Sequence, residues 1–186
     1  LSHAGKAVFN TQFQYWIHPQ TVQPLDVPAR VLFLGTQQDL SGILDFLPRA
    51  ERIDSLENGS LTDVGVLVVG ADCPQRFDDL APILEPFVRA GGALLILEQA
   101  RFVPGELVLT DRSFPLVFMT EPTHPVFAGL SDADLRFWSP ANPWESGAPG
   151  MTRGAFLKPK RGDLRILLEG GDGDFGWGGL LWTPLV

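Results

Sequence analysis

The chain has 186 residues, of which 45% are apolar and 19% charged, a balance that buries a core and excludes a disordered polymer. Acidic residues outnumber basic ones 22 to 14, for a net charge of −8, and the basic residues are scattered. A nucleic-acid groove or an anionic-membrane patch needs the opposite balance, and no apolar run approaches the ~18–20 residues of a membrane span.

Residues 7–17 alternate, with Ala7, Phe9, Phe13, Tyr15 and Ile17 on one face and Asn10, Gln12, Gln14 and His18 on the other. Period 2 of that length predicts a half-buried β-strand. Pro19, Pro24 and Pro28 follow and read as a linker. The chain begins at Leu1 rather than Met and ends in an apolar run, 180–186, that reads as an interrupted strand. A piece of a longer protein is expected: residues 1–18 as the terminal strand of a preceding β-domain, 19–29 as linker, and 30–186 as an α/β domain.

Residues 30–35 (RVLFLG) form a short continuous apolar run, as in a strand buried on both faces of a parallel sheet. Leu40, Ile43, Leu44 and Leu47 recur at helical spacing before Pro48. Residues 50–56 predict a weak strand and 64–71 (VGVLVVGA) a strong one. Leu80, Ile83, Leu84, Phe87 and Val88 mark an amphipathic helix over 79–89, with Pro82 in its first turn, Pro86 as a kink and Gly91–Gly92 as its stop. Residues 93–97 complete a β-α-β, β-α-β order, which calls for a parallel sheet. Beyond Gln99, residues 107–109, 116–119, 155–157 and 164–168 are short strand candidates, with 158–163 (KPKRGD) as a hairpin turn between the last two.

Few groups suggest chemistry. Residues 171–176 (GDGDFG) match the dinucleotide fingerprint G-x-G-x-x-G, but an apolar strand follows where a helix N-terminus is required. Asp172 and Asp174 fall short of an EF-hand, because Gly176 stands where a third oxygen ligand belongs. Cys73, the only cysteine, follows a strand end, yet a cysteine nucleophile needs a base, and the histidines are His3, His18 and His124. The pairs Asp78/Asp79 and Asp132/Asp134 read as helix-start or turn residues. Asn58-Gly59-Ser60 is a glycosylation sequon in form, but Asn-Gly is first a turn signal. No metal site and no cofactor is expected.

The most informative stretch is 123–138 (THPVFAGLSDADLRFW) with Pro143 and Trp144. His124, Arg136, Trp138, Asn142 and Trp144 together suit a sugar-binding surface, an anchor for a neighbouring domain, or burial in this domain's own core.

These residues also carry a resemblance. The strand order, 87–99 (FVRAGGALLILEQ) and His124-Pro125-x-x-x-Gly129-Leu130 resemble the class I glutamine amidotransferase-like fold. More narrowly they resemble its non-catalytic form in glycoside hydrolases, including the β-galactosidase trimerisation domain. HPVFAGLSDADLRFW, RGAFLKP and WTPL are similar to C-terminal regions of bacterial proteins related to glycoside hydrolase family 2. HP-x-x-x-GL also recurs in trehalose-utilisation-type domains. The resemblance implies a flavodoxin-like three-layer α/β sandwich with a mostly parallel sheet, preceded by a strand from a neighbouring β-sandwich. It implies an accessory or oligomerisation module of a β-galactosidase- or β-glucuronidase-like parent acting in carbohydrate metabolism. Sibling domains of a larger chain are the expected partners, with a homo-oligomer or a carbohydrate as alternatives. True amidotransferases carry a nucleophilic cysteine after the strand that is 93–97 here; this chain has Glu98, Gln99 and Ala100, and no His-x-Glu pair. No catalytic residue is therefore transferred. The alternatives are a carbohydrate-binding module and an independent cysteine-dependent hydrolase using Cys73.

Overall fold

The computed structural model describes residues 2–3, 6–7, 23–71, 73–97, 107–110, 117–135, 155–157, 165–170 and 177–182. Two short strands, β1 (Ser2–His3) and β2 (Lys6–Ala7), pair antiparallel at the start. The rest of the strand expected over 7–17 lies outside the described residues, as do Pro19 and 183–186.

Mixed α/β structure follows. Strand β3 (Arg30–Leu34), helix α1 (Gln37–Leu44), β4 (Glu51–Ile53), β5 (Val64–Val69), helix α2 (Phe77–Arg89) and β6 (Ala93–Ile96) succeed one another. The strands pair parallel in the order β4-β3-β5-β6. Alternation across the sheet divides the core in two. Leu32 and Leu34 of β3 with Leu67 and Val69 of β5 pack against Leu80, Leu84 and Phe87 of α2. Val31, Phe33 and Val68 pack the other way, against Leu40, Ile43 and Leu44 of α1 and Leu47 just beyond it. A helix thus covers each face of the central strands, and Phe33, Leu34, Leu67, Val68 and Val69 are 0% exposed. Such strands have no solvent face, which is why their sequences are continuous apolar runs.

Helix α2 starts two residues earlier than its periodicity suggests, because Phe77 also packs on the core beside α2's own Leu80 and Leu84. Pro82 consequently sits in the second turn, not the first, and Pro86 lies further inside the helix. Both prolines are on its exposed side, where the carbonyls they leave unbonded can reach water.

The second half builds a separate sheet. Strands β7 (Leu109–Thr110), β8 (Val117–Met119), β9 (Ala155–Leu157), β10 (Arg165–Gly170) and β11 (Trp177–Trp182) are all antiparallel, in the order β7-β9-β11-β10-β8. This corrects the hairpin expected between 155–157 and 164–168: β11 inserts between β9 and β10 and pairs with both. Sequence neighbours lose to a strand that arrives later and extends beside β10 over its whole length. The pairing carries register shifts on either side of Leu168, so β10 and β11 meet with irregular spacing. Val117, Phe127, Leu135, Leu167 and Leu168 form the core of this half, with Met119 against it.

At the carboxyl end of the parallel sheet, the two central strands close on each other. Gly70 N–H donates to Leu34 C=O at 2.8 Å, and the backbones of Gly35 and Gly70 approach closely under the Phe33 ring. A Cβ on Gly70 would stand 2.6 Å from Phe33 Cζ and 3.3 Å from Asp39 Oδ2. The ring is wholly buried between sheet and α1, so it cannot swing away. Gly70→Ala is expected to lose about 1–3 kcal/mol in urea unfolding, the usual cost of overpacking. Phe33→Leu shortens the opposing group, so the double variant should lose clearly less than the sum of the single ones; additivity within about 0.5 kcal/mol would show that the ring is not the obstacle.

Candidate functional site

In an open parallel sheet, ligands and catalytic groups gather outside the carboxyl ends of the strands, where the strand order reverses. Here the chain leaves β3 towards β4 and leaves β5 towards β6, so that place lies between Gly35 and Gly70. Thr36 and Asp39 follow β3, Cys73 and Gln75 follow β5, and Arg52 and Asp54 lie in and just after the neighbouring strand β4.

Several of their polar atoms engage one another or nearby backbone. Thr36 caps α1: its Oγ1 accepts from Asp39 N–H at 3.2 Å and donates to Asp39 Oδ2 at 2.8 Å. Arg52 donates to the Gly35 carbonyl at 3.2 Å and pairs with Asp54 at 2.6 Å. The Gln75 side chain accepts from Leu56 N–H at 2.8 Å and donates to Leu56 C=O at 3.4 Å, tying the segment after β5 to the one after β4. Neither Thr36, Arg52 nor Gln75 stood out in the sequence; only the Thr-x-x-Asp spacing at 36–39 resembles a capping signal.

Cys73 is where the sequence places it, just past β5, but its side chain turns inward. It is buried within the apolar cluster of Leu56, Leu80 and Leu84. Burial pushes its thiol above the ordinary value of 9.0, and the Gln75 backbone N–H pulls weakly the other way. A nucleophilic cysteine needs the reverse, a thiolate favoured by positive surroundings.

The acidic pairs hold structure. Asp78 and Asp79 lie in the first turn of α2, against the positive end of its dipole. Asp132 Oδ1 accepts from Met119 N–H at 3.1 Å, stitching β8 to the short 3₁₀ helix Asp132–Leu135. Asp134 Oδ2 accepts from Ser131 N–H at 2.7 Å and from its hydroxyl at 2.6 Å.

Of the residues proposed for a sugar or interface site, His124 is described. It caps the 3₁₀ turn Pro125–Phe127, its Nδ1 accepting from Val126 N–H at 3.3 Å, and Phe127 plugs the core of the antiparallel half. Arg136, Trp138, Asn142 and Trp144 lie outside the described residues, as do Glu98, Gln99 and Ala100. The fingerprint at 171–176 joins two antiparallel partners, β10 and β11, so the helix it requires does not follow it. Among the described residues no group of three or more His, Cys, Asp or Glu side chains is arranged to hold a metal ion.

Comparison of the chain with family models, curated proteins and solved structures yields no match.

Two outcomes test the burial of Cys73 and the cap at His124. A thiol whose folded pKa lies above its unfolded value keeps its proton longer in the native state. Unfolding therefore releases a proton once the pH passes about 9, and stability should fall as the pH rises from there towards the folded pKa. Urea unfolding at increasing pH should show this loss, and Cys73→Ala should remove that part of it; a native chain that a thiol reagent labels at once would refute the burial. For the cap, His124→Ala should cost about 0.5–2 kcal/mol, whereas His124→Asn, a good capping residue, should stay near the parent.

Proposed function

We propose that this chain is a non-catalytic, flavodoxin-like accessory module of a bacterial carbohydrate-active glycoside hydrolase, packing on sibling domains of its parent. The observation that carries this reading is the state of the carboxyl end of the parallel sheet. Catalytic sites keep donors, acceptors and nucleophiles poised for a substrate. Here the Gly35 carbonyl is taken by Arg52, the Asp39 carboxylate by Thr36, and the Gln75 amide by Leu56, while the Cys73 thiol is buried among leucines.

Two further features support it. The order β4-β3-β5-β6 places the second, first, third and fourth strands side by side, as the flavodoxin-like order begins. Both sheets also carry exposed apolar residues at an edge. Leu95 lies on the edge strand β6, on the α1 side, and is 46% exposed. In the second sheet, Val108 precedes the edge strand β7 and accepts from Leu157 N–H at 2.9 Å; both side chains are exposed. Exposed apolar residues at the edges of the described sheets suit contact with another domain.

The test compares this chain with the whole product of its gene on aryl β-glycosides. The reading expects turnover by the whole product, from a barrel domain bearing paired glutamates, and none by the 186-residue chain. Hydrolysis by the isolated chain, lost in Cys73→Ala, would overturn it in favour of a cysteine-dependent hydrolase.

A further inference from the structure

Between β4 and β5 the chain reverses in a turn over 57–60. Ser60 N–H donates to Glu57 C=O at 3.0 Å, and Glu57 N–H donates to Ser60 Oγ at 3.0 Å. Asn58 and Gly59 occupy the two central positions, and Gly59 has φ +87, as a type II turn requires of its third residue. Both are exposed, and apart from its two chain neighbours no heavy atom lies within 4 Å of where a Gly59 Cβ would stand. The Gly59 carbonyl accepts from Thr62 N–H at 3.2 Å and from Thr62 Oγ1 at 2.9 Å. Among the described residues, no hydrogen bond engages the Gly59 N–H or the Asn58 side-chain amide.

An electrophilic amide carbon thus sits next to a backbone nitrogen with no hydrogen-bond partner and no side chain to shield it. The geometry points to Asn58 as a site of spontaneous deamidation through a cyclic imide. The Gly59 nitrogen gives its proton to solvent base and attacks Asn58 Cγ. A new C–N bond closes a five-membered ring, the bond from Cγ to the side-chain nitrogen breaks, and ammonia leaves with a proton. Water then adds to either ring carbonyl. One opening leaves aspartate at position 58; the other leaves isoaspartate, in which the main chain runs through Cβ and Cγ. No oxidant or reductant takes part. Each conversion adds one negative charge to the −8 of the chain.

The other asparagines lack this arrangement. Pro143 follows Asn142 and has no N–H to attack with, and Thr11 follows Asn10 with a branched side chain beside the nucleophile. Position also gives the modification a consequence. The turn is followed by Asp63, whose φ is +59, and by Val64, the first residue of the central strand β5. An isoaspartate lengthens the main chain inside the turn, so the Ser60-to-Glu57 bond no longer spans its ring, and the change falls at the approach to the core strand.

The test incubates the whole native chain at mildly alkaline pH, beside the same chain unfolded in guanidinium, and follows the peptide carrying Asn58 by mass. Surface turns open at free energies near the bottom of the native range, so the native rate should lie within about tenfold of the unfolded rate, an opening cost below about 1.4 kcal/mol. Asn58→Gln should remove the acidic shift on isoelectric focusing. A native rate more than about tenfold slower would overturn the inference, because the turn would then be protecting the amide. So would an acidic shift that persists in Asn58→Gln.

Discussion

The two central strands of the parallel sheet are covered on both faces, and the rest of the described first half is arranged around that constraint. A strand in this position has no place for a polar side chain, so every residue of 31–34 and 67–69 is apolar and buried. Its backbone must find all its partners within the sheet, which the parallel ladders to β4, β5 and β6 supply. Polar residues are displaced to the strand ends. There the crowding is greatest, because the Phe33 ring overlies the point where β3 and β5 finish, and glycine at positions 35 and 70 lets the two backbones meet beneath it. Around that point Thr36 and Asp39 bond each other, and Arg52 bonds the Gly35 carbonyl and Asp54.

This explains what the sequence could and could not disclose. β3, β5 and α2 were legible because burial on two faces, or on one helical stripe, imprints a pattern on every residue. β4 was fainter because only Ile53 of its three residues is drawn into the core. The antiparallel half was legible strand by strand but not in its pairing. A hairpin between β9 and β10 is the local solution, and only the contacts of β11, whose apolar run reads as a strand but does not name its partners, decide against it. Non-local pairing of that kind leaves no mark on either partner's own periodicity.

The candidate site divides along the same line. The position of Cys73 after a strand end was readable; its inward turn was not, because that depends on Leu56, from between β4 and β5, meeting Leu80 and Leu84 of α2. Asp134 was readable as a turn former because Ser131, which it binds, is local; the bond from Met119 N–H to Asp132, thirteen residues on, was not. His124 shows how one residue can fit a resemblance and a structural role together: the His-Pro step that suggests the family also starts a capped turn whose Phe127 is buried.

Reactivity follows from hydrogen bonds left unmade, and these are distributed unevenly over the described residues. At the carboxyl end of the sheet, where α/β proteins ordinarily keep their chemistry, carbonyl, carboxylate, amide and thiol are each occupied or buried. Among the described residues, that arrangement ties the strand ends to the segments around them. The turn at 57–60 is the converse case. Its bonds run between the outer residues, Glu57 and Ser60, and leave the central amide of Gly59 open to water. A glycine there meets the demand of the turn for a positive φ, and the lack of a side chain that makes the turn possible also leaves the nitrogen beside Asn58 unshielded. Replacing Gly59 would shield that nitrogen only by straining the turn, so the turn and the chemical lability of Asn58 both follow from the lack of a Cβ at position 59.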